Sequence, residues 1–261
     1  MIGFIGIGHL AGSIARGLIE AGTPADSILV TAHHRSTAEA FAAQTGVLVA
    51  HSNTDLAERS DIIVLAVPPK TVPGVLDEIR AAAPHAVLVS TAAGVSIASM
   101  AGHLEPSQRV VRSLPNVAAS VRQSMTALAP NFDDAAALAP VRELFEAVGA
   151  VEVVPESQFA AFSAIAGCSP AFTFTYIDAL ARAAVKHGMT KKVATRVAAQ
   201  AVLGASTMLM QSDASAADLA DTVQSPGGST VAGVVALEQA GFGAATVAGV
   251  EASIKRDGEL A

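Results

Sequence analysis

A single cysteine, Cys168, occurs in the 261 residues. No intrachain disulfide can form, and with no histidine beside it Cys168 is expected to act as a small buried hydrophobe. The seven histidines make no His-x-x-x-His pair, and there is no Cys-x-x-Cys, so no metal site is expected. Charged side chains are scarce at 15%, which implies that much surface is buried between helices or subunits. The charge that exists is acidic: 23 Asp and Glu against 16 Lys and Arg, net −7. A nucleic-acid partner is excluded on that ground, because a basic face is its usual footprint. No apolar run is expected to reach the ~18 residues of a membrane span, so no membrane partner is expected. No basic segment precedes the first apolar run, so a signal peptide is not expected and a cytoplasmic location is. Internal repeats and low-complexity linkers are also missing.

What is there is apolar: 51% of the residues, much of it alanine, which favours helix. Ile2-Gly3-Phe4-Ile5 reads as a short strand. Gly6-Ile7-Gly8-His9-Leu10-Ala11 follows, and Ile14, Leu18 and Ile19 then recur at helical spacing. Strand, Gly-x-Gly-x-x-Ala, helix is the opening of a dinucleotide site. The first glycine allows the tight turn, the second lets the backbone approach a pyrophosphate, and the small third residue packs helix on strand.

The second strand, Ile28 to Thr31, runs into Ala32-His33-His34-Arg35-Ser36. A site for NAD(H) usually carries an acid at this strand end to hold the ribose 2′-hydroxyl. None stands here. Arg35 and Ser36, with His34, offer a cation and donors to a 2′-phosphate, so NADP(H) is favoured over NAD(H); otherwise Arg35 is a solvated loop charge.

Strands and helices keep alternating. Strands are expected at Val47–Val49, Asp61–Val67, Ala86–Ser90, Arg109–Leu114, Met125–Leu128 and Ala150–Val154. Helices are expected at Asp55–Arg59, Val72–Ala82, Ile97–His103 and Asp134–Val148. Pro68 and Pro69 stiffen the loop after the fourth strand, at a carboxyl end where cofactors lie in such sheets. Thr91-Ala92-Ala93-Gly94 makes a small-residue turn suited to face a nicotinamide. Asn116, after Pro115, offers its amide to the nicotinamide or caps a turn.

After Pro155 the strand pattern ends. Helices are expected at Ser157–Ala166, Ala171–His187, Lys191–Met210, Ser215–Val223, Val231–Ala240 and Ala244–Arg256. The fold class is thus α/β, with a dinucleotide-binding domain over residues 1–155 and an all-α domain over 156–261. The helix faces are too small and apolar for a lone helix set, which implies an obligate dimer. Between two of these helices lies Ser225-Pro226-Gly227-Gly228-Ser229-Thr230. Pro226 stops what precedes, the glycines free the backbone, and two hydroxyl residues sit where an N-cap belongs. Such a turn is an interhelical connection that also suits a small carboxylate.

The two ends of the chain together resemble the pyrroline-5-carboxylate reductase family. The most specific stretch is Asp221 to Gly233, continuing through Leu237-Glu238 and Gly241-Phe242. Ala92 to Ile97, Arg109 to Arg112 with Pro115-Asn116, Ala198 to Gln200, and Val202 to Ala205 also match. The resemblance implies a Rossmann domain followed by a helical dimerisation domain that interlocks with a partner, and homodimers that stack into larger rings. It implies NAD(P)H-dependent reduction of the cyclic imine of Δ1-pyrroline-5-carboxylate to L-proline. By similarity, cofactor contacts fall on Gly6 to Ala11, Arg35, Ser36, Asn53, Ala66, Val67, Pro68, Pro69, and Ala92 to Gly94. Substrate-carboxylate contacts fall on Ser225, Ser229 and Thr230, with Gly228 between them. Thr175 matches a threonine placed near the ring nitrogen. Three loops depart from the family pattern: Pro68-Pro69-Lys70, Leu114 to Ala118, and Gly167 to Phe172. They border the expected cofactor or substrate, so a related imine is an alternative substrate.

Hydride reduction of a protonated imine asks for orientation rather than a strong base. Thr175 is the expected catalytic contact to the ring nitrogen; otherwise its hydroxyl bonds its own helix. A tyrosine–lysine mechanism is excluded, because Leu180 stands four residues after Tyr176, the single tyrosine. A β-hydroxyacid dehydrogenase would carry a lysine early in the helical domain, and Gly167 to Ala184 contains none. A dinucleotide-binding protein without activity is the remaining alternative.

Overall fold

The computed structural model describes residues 1–260. Its eight strands are β1 (Ile2–Ile5), β2 (Ile28–Thr31), β3 (Leu48–Val49), β4 (Ile62–Leu65), β5 (Val87–Ser90), β6 (Arg109–Leu114), β7 (Ser124–Pro130) and β8 (Gly149–Val153). They form one sheet in the order β3-β2-β1-β4-β5-β6-β7-β8. All neighbours are parallel except β6 and β7. The order reverses between β1 and β4, which places a switch point beside β1.

The strand sequences explain the layering. Successive side chains of a strand point to opposite faces, and both faces here are apolar. Phe4, Val30, Val64 and Val89 point to one side, where they pack with Ile14, Leu18, Phe41 and Phe145. Ile5, Leu29, Ile63 and Leu88 point to the other, against Leu76, Ile79 and Met100. Continuous apolar strands are what a parallel sheet covered on both sides needs. The covering helices on the first side are α1 (His9–Glu20), α2 (Arg35–Thr45) and α6 (Ala135–Glu146). On the second side lie α3 (Asn53–Glu58), α4 (Val72–Ile79) and α5 (Ile97–Ala101). Each fully buried Leu, Ile or Phe contributes about 1.5–3 kcal/mol.

The chain continues as α7 (Phe159–Phe162), a π-helical turn at Ser163–Cys168, α8 (Ser169–Lys186), α9 (Lys191–Met210), α10 (Ala216–Thr222), α11 (Ser229–Gln239) and α12 (Phe242–Leu260). Two compact units result. One holds Met1–Gly167 with the residues from Ile254, and the other is Cys168–Ser253. The division falls further along than Pro155, for a visible reason. Phe159 packs with Ala127 and Ala129 of β7. Glu156 pairs with Arg112, and Asn116 Nδ2 donates to the carbonyl of Ala166 at 2.8 Å. These contacts hold residues 156–167 to the sheet.

In the helical unit, α8 and α9 approach through small side chains: Ala181, Ala194 and Ala198 are its buried apolar residues among those described. Meanwhile Phe174, Leu203, Met210 and Val247 are mostly exposed. Two helical stretches, Glu156–Lys186 and Lys191–Met210, are long and apolar enough to cross a membrane by length and composition. This corrects the expectation that no apolar run comes near a span. The apolarity is spread over alanine, valine and uncharged small residues, so no continuous run of large side chains announces it.

Candidate functional site

The cleft at the carboxyl ends of β1, β2 and β4 is built on the turn after β1. Gly6 has φ +92°, and its N–H donates to the carbonyl of Thr31 at 3.0 Å. A Cβ on Gly6 would lie 2.6 Å from the carbonyl oxygen of Ala66, so both conformation and space require glycine there. Gly8 is the N-cap of α1, and no side chain caps that helix. A Cβ on Gly8 would meet nothing within 4 Å; its outward side is open. The first intrahelical bond is Gly12 N–H to Gly8 O, at 2.8 Å. The N–H groups of the first turn therefore lack intrahelical partners and lie where an anion can use them. Ala11 is buried in the core, so the third position of the motif packs the helix on the sheet.

The cleft measures about 520 Å³, within the range of roughly 300–1,000 Å³ usual for small-molecule sites. It is lined by Gly6 to Ala11, Ala32 to His34, Thr37, Ala66 to Pro69 and Thr91 to Ala93. Most of the residues singled out in the sequence thus meet in one place. Arg35, Ser36, Asn53, Gly94 and Asn116 are not among its walls. Arg35 and Ser36 do not stand in a loop: they open α2. Nε of Arg35 donates to Oε1 of Glu39 at 2.8 Å, an i,i+4 pair with both side chains half-exposed. Arg35 and Asn53 line an adjoining pocket with His33. Gly94 turns the chain with φ +72°. Asn116 caps the turn that follows it: its Oδ1 accepts from Ala118 N–H at 3.0 Å while its Nδ2 reaches Ala166 O. Both ends of that amide are engaged within the fold.

Ala32, His33 and Thr37 line the cleft without having been read from the sequence. Their signal was positional. Ala32 and His33 follow the end of β2, and Thr37 lies in the first turn of α2.

In the helical unit, Ser225 to Gly228 form a turn closed by Gly228 N–H to Ser225 O at 2.9 Å. Pro226 takes its second position and Gly227, at φ +70°, its third, the residue pattern of a type II turn. The N-cap of α11 is Gly228, without a side-chain cap, so Ser229 and Thr230 occupy the first helical positions. The hydroxyls thus sit inside the helix start rather than at the cap. A Cβ at residue 228 would lie 2.4 Å from Oγ of Ser225 and 3.0 Å from its carbonyl oxygen, so a side chain there would force Ser225 to shift. The first turn of α11 again offers uncapped N–H groups with two hydroxyls beside them. Thr175, on α8, donates its hydroxyl to the carbonyl of Ala171 at 3.0 Å. It lines an apolar groove with Phe172, Tyr176, Leu237 and Phe242. Tyr176 packs on Phe242 with ring centroids 5.7 Å apart.

Residues 156–260 match the family model for pyrroline-5-carboxylate reductase dimerisation. Residues 1–94 match the model described as NADP oxidoreductase, coenzyme F420-dependent. Pyrroline-5-carboxylate reductase 3 of Mus musculus is 37% identical over 265 residues, covering 99% of this chain and 95% of that one. The solved pyrroline-5-carboxylate reductase of Coxiella burnetii superposes with a TM-score of 0.93 at 32% identity, over 100% of this chain and 98% of its own. That of Plasmodium falciparum, solved with NADP bound, superposes with a TM-score of 0.85 at 26% identity, over 98% and 96%. With relatives of this identity aligned along nearly its whole length, the chain belongs to the pyrroline-5-carboxylate reductase family.

Proposed function

We propose that this protein reduces Δ1-pyrroline-5-carboxylate to L-proline with NADPH. The observation that carries the reading is the open side of Gly8 over an uncapped helix start, in a chain that aligns with these reductases along its length. NADP(H) fits the residues present. The N–H groups at the start of α1 suit the pyrophosphate. The end of β2 carries no acid, and α2 begins there without a side-chain cap, next to His34, Arg35 and Ser36. An uncapped helix start beside a cation suits the 2′-phosphate better than a bare ribose hydroxyl. Asn53 adjoins the same end, and Ala66 to Pro69, Ala92 and Ala93 form the opposite wall, with Gly94 just beyond. NAD(H) is the less favoured cofactor.

When bound, the cofactor supplies the hydride, and the chain's own groups bind and orient. Ser225, Ser229 and Thr230, with the N–H groups that follow Gly228, hold the substrate carboxylate. The ring nitrogen is protonated before reduction, so no strong base is asked of the protein. The hydroxyl oxygen of Thr175 keeps a lone pair while donating to Ala171, and accepts from the ring N–H. Asn116 serves the nicotinamide end by holding the loop after β6 to residue 166.

The helical unit buries few apolar side chains by itself, and its matched family model is one of dimerisation. We read the exposed faces of α8, α9 and α11 as covered by a second copy rather than by lipid. The protein is then a cytoplasmic homodimer, with dimers free to stack into rings. The test is oxidation of NADPH with Δ1-pyrroline-5-carboxylate, run beside a 3-hydroxyacid with NADP⁺ and a six-membered cyclic imine acid with NADPH. Preference for the five-membered imine supports the reading. Preference for the six-membered ring would move the substrate to a related imine, in line with the departures at Pro68 to Lys70, Val117-Ala118 and Cys168-Ser169. Tight NADPH binding without turnover of any of them would leave a dinucleotide-binding protein.

A further inference from the structure

The end of β2 has no acid of its own, yet a carboxylate reaches the pocket beside it from another element. This pocket, of about 300 Å³, is walled by Ala32, His33, Arg35, Asn53 and Glu78. Glu78 lies near the end of α4. Its Oε2 accepts from Nδ2 of Asn53 at 2.9 Å, and Oδ1 of Asn53 accepts from the Thr31 hydroxyl at 2.7 Å. The chain Thr31–Asn53–Glu78 fixes the Asn53 amide with its nitrogen toward the carboxylate. The other charges at this rim are compensated. Arg35 is paired with Glu39. Asp55 accepts from His51 N–H and pairs with Arg59. The Glu78 carboxylate is in no ion pair among the described residues.

In sheets of this kind the adenosine ribose lies at the carboxyl end of β2. We propose that Glu78 is a cofactor-discriminating residue. Its uncompensated charge weakens the hold on a 2′-phosphate and leaves an uncharged ribose 2′-hydroxyl unopposed, so the protein takes NADH alongside NADPH. The inference rests on reading the cleft as a nicotinamide-dinucleotide site. A phosphate dianion and a carboxylate separated by one amide, in largely aqueous surroundings, repel enough to change affinity about five-fold.

Glu78→Gln tests this, because the amide keeps the size of the side chain and an oxygen for Asn53 while losing the charge. Dissociation constants for NADPH and NADH are measured by calorimetry on the dimeric full chain, wild type and variant. The expected result is NADPH binding about five-fold tighter in the variant, with NADH binding no tighter. An unchanged ratio of the two affinities would overturn the proposal and leave the proposed function standing. Equal weakening of both would also overturn it, by showing that Glu78 only props Asn53. If neither nucleotide binds the wild type, the dinucleotide reading falls and this inference with it. Glu78 is exposed, and Glu78→Ala provides a second charge-free variant, for which the same shift in ratio is expected.

Discussion

Oε1 of Glu156 accepts from Nη1 of Arg112 at 2.9 Å and from the backbone N–H of Ile97 at the same distance. The Arg112 side chain is 12% exposed and lies over the ring of Phe159, 4.6 Å from its centroid. One carboxylate thus joins β6, the helix that follows the Thr91–Gly94 loop, and the segment leading into α7. Removing it leaves a largely buried guanidinium without its partner. Glu156→Ala should cost about 2–3 kcal/mol, less than a fully buried pair because Glu156 is partly exposed. Arg112→Met, which keeps the packing on Phe159, should cost less. Urea unfolding of both variants gives the comparison.

Gly6 and Gly8 have different jobs, and alanine separates them. Gly6→Ala puts a methyl against the Ala66 carbonyl at a φ that alanine rarely adopts, so the loss should appear in thermal stability, by about 2–3 kcal/mol. Gly8→Ala meets no protein atom. It should leave the melting temperature within a degree or two while weakening NADPH binding about ten-fold or more, because the methyl stands where the pyrophosphate must approach. Calorimetry and thermal melts read the two effects separately.

At the start of α11, Thr230→Ala removes a hydroxyl beside uncapped N–H groups. The KM for the imine acid should rise about five- to twenty-fold, the loss of one charge-assisted hydrogen bond, with the KM for NADPH little changed. Steady-state kinetics with each substrate varied in turn decide it; equal rises in both would count against a carboxylate site at this turn.

Leu203 on α9 is 59% exposed in the single chain, on a helix whose inward face is alanine. If a second copy covers this face, Leu203→Glu buries a charge in the interface and should drive the protein to monomer or aggregate, read by sedimentation velocity. Activity should fall with the dimer, and dilution of the wild type below its dissociation constant should abolish turnover in parallel.

The elements were legible where one signal dominated. Ile2–Ile5 and Ile28–Thr31 were readable to the residue as short apolar runs, and Arg109–Leu114 as a strand built on Val110 and Val111 and stopped by Pro115. Helix Lys191–Met210 was equally plain. By contrast α2 gave no reading, since Ala38 and Phe41 are its only buried residues and make no stripe; the Arg35–Glu39 spacing was the cue available. The π-helical turn at Ser163–Cys168 lies among small residues with no local signature. The cleft was readable because glycine motifs and strand ends are local. Glu78 was not, because its place beside Asn53 comes from packing α4 against α3, which spacing along the chain does not encode.

Transfer of hydride from NADPH to the imine carbon leaves an isotopic mark on the product. The direct measurement incubates the dimeric enzyme with NADPH deuterated at the transferring C4 position and Δ1-pyrroline-5-carboxylate, then examines the product by mass spectrometry and NMR. L-proline carrying one deuterium, at C5, is the expected product. Proline without deuterium, or no proline while the labelled cofactor stays bound, would contradict that transfer.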